Sequence, residues 1–198
     1  MYTMNYTHFR TKKGEQMITD DDKKALLKLA RESIKYYFEN RRTTTVEELG
    51  IEITSGMSQI MGGFVTLQKH GQLRGCIGEI LPTRDLYKVV LERAVDSAFH
   101  DYRFSPLIRP EFNEIEIEIS ALSMPEPVDS WRDIIIGKHG MTLTKDGRSA
   151  VFLPQVAPEQ GWGIEETLTH LSVKAGLSPD AWRNNCSFEV FEAIVFGE

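Results

Sequence analysis

Residues 64–77 read FVTLQKHGQLRGCI and place two β-like runs on either side of the dipeptide His70-Gly71. Glycine readily takes the positive φ that a tight turn between antiparallel strands requires. The pattern therefore predicts a β-hairpin with a two-residue turn at His70-Gly71. In that register Cys76 lies opposite Val65, and one layer of the fold is an antiparallel sheet.

Two helices and a further strand are predicted around this hairpin. Thr19 can cap a first helix, whose apolar residues recur at helical spacing to about Asn40. Thr83 can cap a second helix that continues through about Phe99. Residues 114–119 alternate glutamate with isoleucine, the pattern of a half-buried strand. We therefore predict an α+β fold in which helices flank a mainly antiparallel sheet.

Prolines and glycines become frequent after residue 124, which indicates a more irregular section. Within it, residues 141–144 and 150–153 predict a second hairpin, and residues 164–175 predict a helix. Residues 188–196 predict one final strand. Residues 1–16, in contrast, are polar and lack a hydrophobic period, so we expect a flexible tail before a single domain from residue 17, where Met17 could be the true start.

The composition limits the classes of function. The chain has 198 residues, 41% of them hydrophobic and 26% charged, and a formal net charge of −6. We expect a cytoplasmic protein, because no apolar run approaches a membrane span and the N-terminus lacks the order of a signal peptide. The acidic balance disfavours nucleic-acid binding, which depends mainly on lysine and arginine.

The cysteines and histidines do not form a metal-binding pattern. Cys76 and Cys186 lie far apart and have no CxxC or histidine-rich neighbourhood, so we expect free thiols. His139 and His170 show no ligand spacing. The sequence therefore predicts no metal site, and it indicates no particular cofactor.

Arg74 and Cys76 are the first candidate site residues. Two positions apart on a strand, they should share one face, where the guanidinium could favour a nucleophilic thiolate. Gly75 and Gly78 would leave the backbone uncovered for a ligand, and N–H groups at the Thr83 helix start could receive an anion. The alternative is a packed, unreactive cysteine beside glycines that only permit strand twist.

A charged loop supplies further candidates. His100 could act as a base for Cys76, with Asp101 orienting it and Arg103 binding a ligand. The alternative is that the aspartate and arginine only organise a turn. Glu79 could pair with Arg74 or act as an acid or base, although surface carboxylates beside strands are common.

Two residues of the irregular section are candidates for lining a cleft. Gln155 offers an amide and Trp162 a flat apolar face. A capped loop that packs on its own tryptophan would explain both residues equally well.

Residues 73–78, Leu-Arg-Gly-Cys-Ile-Gly, resemble the signature hexapeptide of the AMMECR domain family, also called AmmeMemoRadiSam system protein A. Further segments agree in order and extend the resemblance from Met17 to the C-terminus; they include residues 63–67, 98–101, 117–120, 125–127, 153–157, 161–162 and 174–177. The chain departs from the family pattern at Tyr102 and Ser105, where proline is common.

The resemblance implies an α+β fold with a larger lobe, about 17–124 and 176–198, and a smaller lobe, about 125–175. It also implies association with a Memo-like protein and a radical S-adenosylmethionine protein, but it supplies no reaction. Two hypotheses follow. The chain is an enzyme, or an enzyme subunit, that acts on a small molecule near residues 73–78, or it is a non-catalytic adaptor that docks a partner through the same groove.

Overall fold

The computed structural model describes residues 18–198, so the expected tail and Met17 lie outside the described residues. The α-helices are α1 (Asp20–Asn40), α2 (Val46–Leu49), α3 (Leu86–Phe99), α4 (Val156–Gln160) and α5 (Ile164–Lys174). The strands are β1 (Gly62–Lys69), β2 (Gln72–Glu79), β3 (Ile115–Leu122), β4 (Glu126–Val128), β5 (Gly140–Lys145), β6 (Arg148–Phe152), β7 (Ser187–Phe191) and β8 (Ala193–Gly197). Short 3-10 helices span Arg109–Asn113, Trp131–Asp133 and Ala181–Arg183.

The chain divides into two compact units. The first runs to Leu122 and includes Ile194–Glu198, and the second is Ser123–Ala193. Residues 176–193, which the resemblance places in the larger lobe, lie in the second unit here, where β7 pairs with β4 and β5. The single strand predicted at 188–196 is wrong, since β7 and β8 belong to different sheets.

The first unit is a four-stranded sheet, in the order β2-β1-β3-β8, with α1 and α3 packed against it. Ile115, Ile117 and Ile119 are buried in its core, where they join Val65 and Leu67 of β1. Glu116 and Glu118 alternate with these isoleucines along β3. The predicted half-buried strand and the α+β class are confirmed.

The start of α1 agrees with the sequence. The Thr19 hydroxyl accepts from the Asp22 N–H, and the Asp22 carboxylate accepts from the Thr19 N–H at 2.8 Å, which completes a capping box. Thr54 donates its hydroxyl to the same carboxylate, and Asp22 is only 5% exposed. This buried aspartate therefore connects the helix start to the loop before β1.

The β1-β2 hairpin forms with a register that differs from the predicted one. His70 and Gly71 have φ angles of 53° and 73°, as a two-residue turn requires. A β-bulge then shifts the pairing, so that Cys76 lies opposite Thr66 and not Val65. The bulge places one extra residue in β2, and a strict two-residue period cannot reveal such an insertion.

The start of α3 is a further correction, because the helix begins at Leu86 with Asp85 as its N-cap and not at Thr83. The N–H of Leu86 donates to the Gln59 carbonyl at 2.9 Å, and the N–H of Tyr87 donates to the Met57 carbonyl at 3.0 Å. Carbonyl groups of the chain itself accept hydrogen bonds from these two N–H groups. The N–H groups therefore do not form the anion-binding site that the sequence predicts at this helix start.

The second unit is a four-stranded sheet in the order β4-β7-β5-β6. The predicted β5-β6 hairpin is present, with Asp146-Gly147 in its turn. Leu168 and Leu171 of α5 pack with Trp182 and Phe188 in a separate core. Each unit therefore has its own hydrophobic core.

Candidate functional site

The hexapeptide forms most of β2, which is an edge strand of the first sheet. Gly75 faces α3 so closely that an added Cβ would overlap the Ser97 carbonyl oxygen and lie 3.0 Å from its carbon. A Cβ at Gly78 would overlap the Phe64 ring. The protein's own atoms thus cover both glycines, and this close packing accounts for them without a ligand.

Ser97 of α3 connects the two strands of the hairpin, and sequence reasoning missed it. Its hydroxyl accepts from the Ile77 N–H at 2.8 Å and donates to the Val65 carbonyl at 2.7 Å. Val65 and Ile77 lie opposite each other, and Ser97 is only 1% exposed. One feature of the sequence could have identified Ser97: it is a small polar residue within an apolar stretch of a predicted helix, and a predicted strand of the sheet contains a glycine.

Asp101 and Arg103 form a clamp on the peptide groups of Cys76. Asp101 Oδ2 accepts from the Cys76 N–H at 2.9 Å, and Arg103 Nη2 donates to the Cys76 carbonyl at 2.9 Å. Arg103 also donates to Asp101, with Nε···Oδ1 at 2.9 Å and Nη2···Oδ2 at 2.7 Å. The clamp therefore satisfies backbone groups that an edge strand would otherwise leave open.

The buried carboxylate of the clamp is held in its ionised form. The Asp101 side chain is only 1% exposed, and its partner Arg103 is 43% exposed. Hydrogen bonds from Arg103, against the opposing effect of burial, lower the pKa of Asp101 to about 2. Asp101 is therefore fitted to accept hydrogen bonds and not to exchange protons near neutral pH.

The Cys76 thiol lies on a half-buried part of the sheet. Thr66, directly opposite on β1, donates its hydroxyl to Cys76 Sγ at 3.3 Å. The structure thus brings Cys76, Asp101 and Arg103 together, but the loop residues bind the cysteine's backbone, while its thiol contacts a threonine.

Arg74 has a different partner. Its Nε and Nη2 donate to the two carboxylate oxygens of Glu111 at 3.2 and 2.9 Å. Lys69 Nζ lies 3.3 Å from the same carboxylate. Hydrogen bonds lower the pKa of Glu111 to about 2; the bond from Arg74 has the largest effect, and the bond from Lys69 adds to it. The guanidinium that we expected beside the thiol is therefore paired with Glu111.

His100 is not brought to Cys76. Its Nδ1 lies 2.9 Å from Asp96 Oδ1, and its Nε2 lies 3.3 Å from the Tyr37 hydroxyl. Both ring nitrogens thus have partners other than the thiol. The structure does not assemble the cysteine–histidine pair that residue order suggested.

Glu79 pairs with Arg84 and Arg93, and not with Arg74. Arg84 donates to both of its oxygens at 3.0 and 2.8 Å, and Arg93 adds a bond at 3.3 Å. The Arg84 hydrogen bonds lower the pKa of Glu79. This carboxylate therefore connects the end of β2 to α3.

Gln155 and Trp162 belong to the second unit, whereas the other candidates belong to the first. Trp162 stacks on His170 with ring centroids 4.0 Å apart and planes 14° apart. The Gln155 Oε1 atom is buried and has no hydrogen-bond partner among residues 18–198. Their role as cleft-lining residues stays a prediction.

Across residues 18–198, no group of three or more histidine, cysteine or acidic side chains is arranged to hold a metal ion. No helix in that span has the length and apolar character needed to cross a membrane.

Comparison with known proteins covers nearly the whole chain. The AMMECR1 family model matches residues 27–196. The chain is 36% identical to Mbar_A1807 of Methanosarcina barkeri over 187 residues, or 92% of this chain and 93% of that protein. It is 39% identical to MK0488 of Methanopyrus kandleri over 195 residues, or 93% and 92%. The crystal structure of the uncharacterized protein PH0010 from Pyrococcus horikoshii matches with a TM-score of 0.80 at 33% identity, covering 87% of this chain and 89% of that one.

Proposed function

The chain belongs to the AMMECR1 family, and from that premise we propose that it is a non-catalytic binding subunit whose contact surface is the region around Cys76. The observation that carries this proposal is the clamp. Asp101 and Arg103, which looked like catalytic neighbours of the thiol, are engaged in fixing the Cys76 peptide groups. His100, the expected base, bonds to Asp96 and Tyr37.

The clamp also presents an aromatic side chain to solvent. Tyr102, between Asp101 and Arg103, is 93% exposed. Leu73 at the start of the hexapeptide is 47% exposed, and the Arg103 side chain is 43% exposed. Tyrosine and arginine are enriched among residues that dominate protein interfaces, and a loop fixed in advance loses less entropy on binding.

The proposed partners are a Memo-like protein and a radical S-adenosylmethionine protein, acting together with this chain in the cytoplasm. In this proposal the partners carry the chemistry, and the chain supplies a rigid docking loop. The support is the family membership together with the arrangement of the loop around Tyr102.

The proposal is tested by the dissociation constant between the full chain and a Memo-like protein of the same organism, measured by titration calorimetry. Tyr102→Ala should weaken the complex about tenfold, because truncating an interface anchor costs more than about 1 kcal/mol. Cys76→Ser should leave the affinity unchanged within a factor of about two, since the two side chains have similar size. Val173→Ala is a matched control, because Val173 is an exposed apolar residue of the second unit.

An absence of binding, or equal affinity of the wild type and Tyr102→Ala, would contradict the proposed contact surface. The Tyr102→Ala and Cys76→Ser variants must keep the wild-type thermal midpoint, which the exposure of Tyr102 and the similar size of serine and cysteine lead us to expect.

A thiol enzyme is the second candidate, and one contact favours it. Thr66 donates a hydrogen bond to Cys76 Sγ at 3.3 Å, and this contact would hold the sulfur in a fixed position for reaction with a substrate. If the chain uses the thiol, Cys76→Ser should abolish turnover by the reconstituted three-protein system while the complex still forms. Under our first proposal, turnover persists.

A further inference from the structure

A cavity of about 210 Å³ opens on the first unit between α1 and the 3-10 helix that precedes β3. Lys35 and Phe38 line it from α1, while Arg109, Phe112 and Asn113 line it from the 3-10 helix. We call this the aromatic cavity. It shares no lining residue with the hexapeptide or the clamp.

Each wall of the aromatic cavity supplies one cation and one phenyl ring. Lys35 and Phe38 are three positions apart on an α-helix and therefore share a face. Arg109 and Phe112 are three apart on a 3-10 helix, where such residues align directly. The two rings meet edge to face at 6.0 Å and 81°, and the Arg109 guanidinium lies 5.7 Å from the Phe38 centroid. The cavity thus combines an apolar aromatic surface with positive charge.

Both cations are only weakly engaged by acidic groups of the chain. Lys35 Nζ lies 3.6 Å from Glu32, and Arg109 Nη2 lies 3.8 Å from Glu39. The Lys35 and Arg109 side chains are 51% and 65% exposed, respectively. Exposed pairs at such distances contribute little stability, so an anionic ligand could displace either carboxylate.

We propose that the aromatic cavity binds a small ligand composed of one planar aromatic ring and one carboxylate or phosphate group. The ring packs against Phe38 and Phe112, where ring–ring contacts add to the burial of apolar area. The anion lies between Lys35 and Arg109, whose planar guanidinium can donate two parallel hydrogen bonds. Sites for larger organic ligands usually occupy about 300–1,000 Å³, so the smaller volume here favours a single ring.

Phenyl phosphate and benzoate are suitable probes, titrated into the ¹⁵N-labelled full chain while backbone amide shifts are followed. At least one should give saturable shifts at residues 35–38 and 109–113, with a dissociation constant of about 1 mM or lower. Comparison of the two probes shows whether phosphate or carboxylate is preferred. Inorganic phosphate and phenol, which each carry half of the recognised chemistry, should bind at least about tenfold more weakly.

Charge-removing variants test the assignment of the two cations. Lys35→Gln and Arg109→Gln should each weaken the better probe about fivefold, as expected for partly exposed charge-assisted contacts. Arg132→Gln is the matched control, because Arg132 is another exposed arginine over an aromatic ring, 4.3 Å from the Trp131 centroid. This control should leave the dissociation constant unchanged.

Three results would overturn the proposal: no saturable shift at either wall with both probes, wild-type affinity for the better probe in both the Lys35→Gln and Arg109→Gln variants, or inorganic phosphate binding as tightly as phenyl phosphate. Both cations are exposed, so the variants should fold, and their thermal midpoints verify this.

Discussion

Gly75→Ala should destabilise the first unit strongly, although it adds only one methyl group. The new Cβ would overlap the Ser97 carbonyl oxygen and lie 3.0 Å from its carbon. Both atoms belong to the backbone of α3, so no side-chain rotation can relieve the overlap. The helix must move away from β2, or the strand must bend.

The expected cost has two parts. Overpacking of a well-packed site costs about 1–3 kcal/mol. Moving α3 also stretches the two hydrogen bonds of the Ser97 hydroxyl, to Ile77 N–H and Val65 C=O, each worth about 1 kcal/mol. We therefore expect a loss of about 2–4 kcal/mol in the free energy of unfolding, a large share of the roughly 5–15 kcal/mol typical of a domain.

Urea denaturation followed by two probes measures this loss. Trp131, Trp162 and Trp182 all lie in the second unit, so tryptophan fluorescence reports on that unit. Far-ultraviolet circular dichroism reports on both units. Gly75→Ala should lower the midpoint of the circular dichroism transition more than that of the fluorescence transition.

Gly163→Ala is the matched control. Gly163 has an ordinary φ of −78°, and no atom lies within 4 Å of its added Cβ. Its cost should stay below about 1 kcal/mol, as for a change of helix cap. A free energy of unfolding for Gly75→Ala within about 0.5 kcal/mol of wild type would refute the close packing of α3 against β2.

Three further predictions concern the same region. The pKa of Asp101 is about 2 in the folded protein and about 4 in an unfolded chain. Its ionised form therefore contributes about 2 kcal/mol to the free energy of unfolding. This contribution is present above about pH 4 and is lost as the pH falls through 2. The urea midpoint of Asp101→Asn should therefore fall less than that of wild type between about pH 6 and pH 3, and equal falls would contradict the clamp. Ser97→Ala should cost about 2–4 kcal/mol because it leaves a buried N–H and a buried carbonyl unpaired, and a cost below about 0.5 kcal/mol would show that the strands pair directly. His100→Gln should leave the alkylation rate of Cys76 unchanged, and a clear fall in that rate would restore His100 as a partner of the thiol.

The fold could be predicted where one local rule controls an element. The capping residues Thr19 and Asp22 define the start of α1, and alternation of glutamate with isoleucine defines β3. The turn at His70-Gly71 forms because glycine tolerates its positive φ. These rules act within a few residues, so a single sequence contains them.

Features that depend on distant contacts could not be predicted in this way. The bulge in β2 is invisible to a two-residue period, yet it changes the residue opposite Cys76 from Val65 to Thr66. The break at Glu192 separates β7 from β8 because the two strands pair in different sheets. Periodicity alone reads that stretch as one continuous strand.

The candidate site shows the same division. The order of residues indicated that Asp101 and Arg103 lie near Cys76, and the structure brings them together. Residue order could not indicate that they bind the backbone of Cys76, or that His100 points to Tyr37. These outcomes depend on side-chain direction at the end of α3, for which no local rule exists.

The alkylation rate of Cys76 tests the central claim most directly, namely that the polar groups around this cysteine hold its backbone and do not activate its thiol. The rate is measured with iodoacetamide at neutral pH in a Cys186→Ser background and compared with that of a small cysteine peptide. We predict that Cys76 reacts no faster than the peptide, because its neighbours Asp101 and Arg103 bind peptide groups. A rate more than about tenfold above that of the peptide would contradict the claim and favour a thiol enzyme.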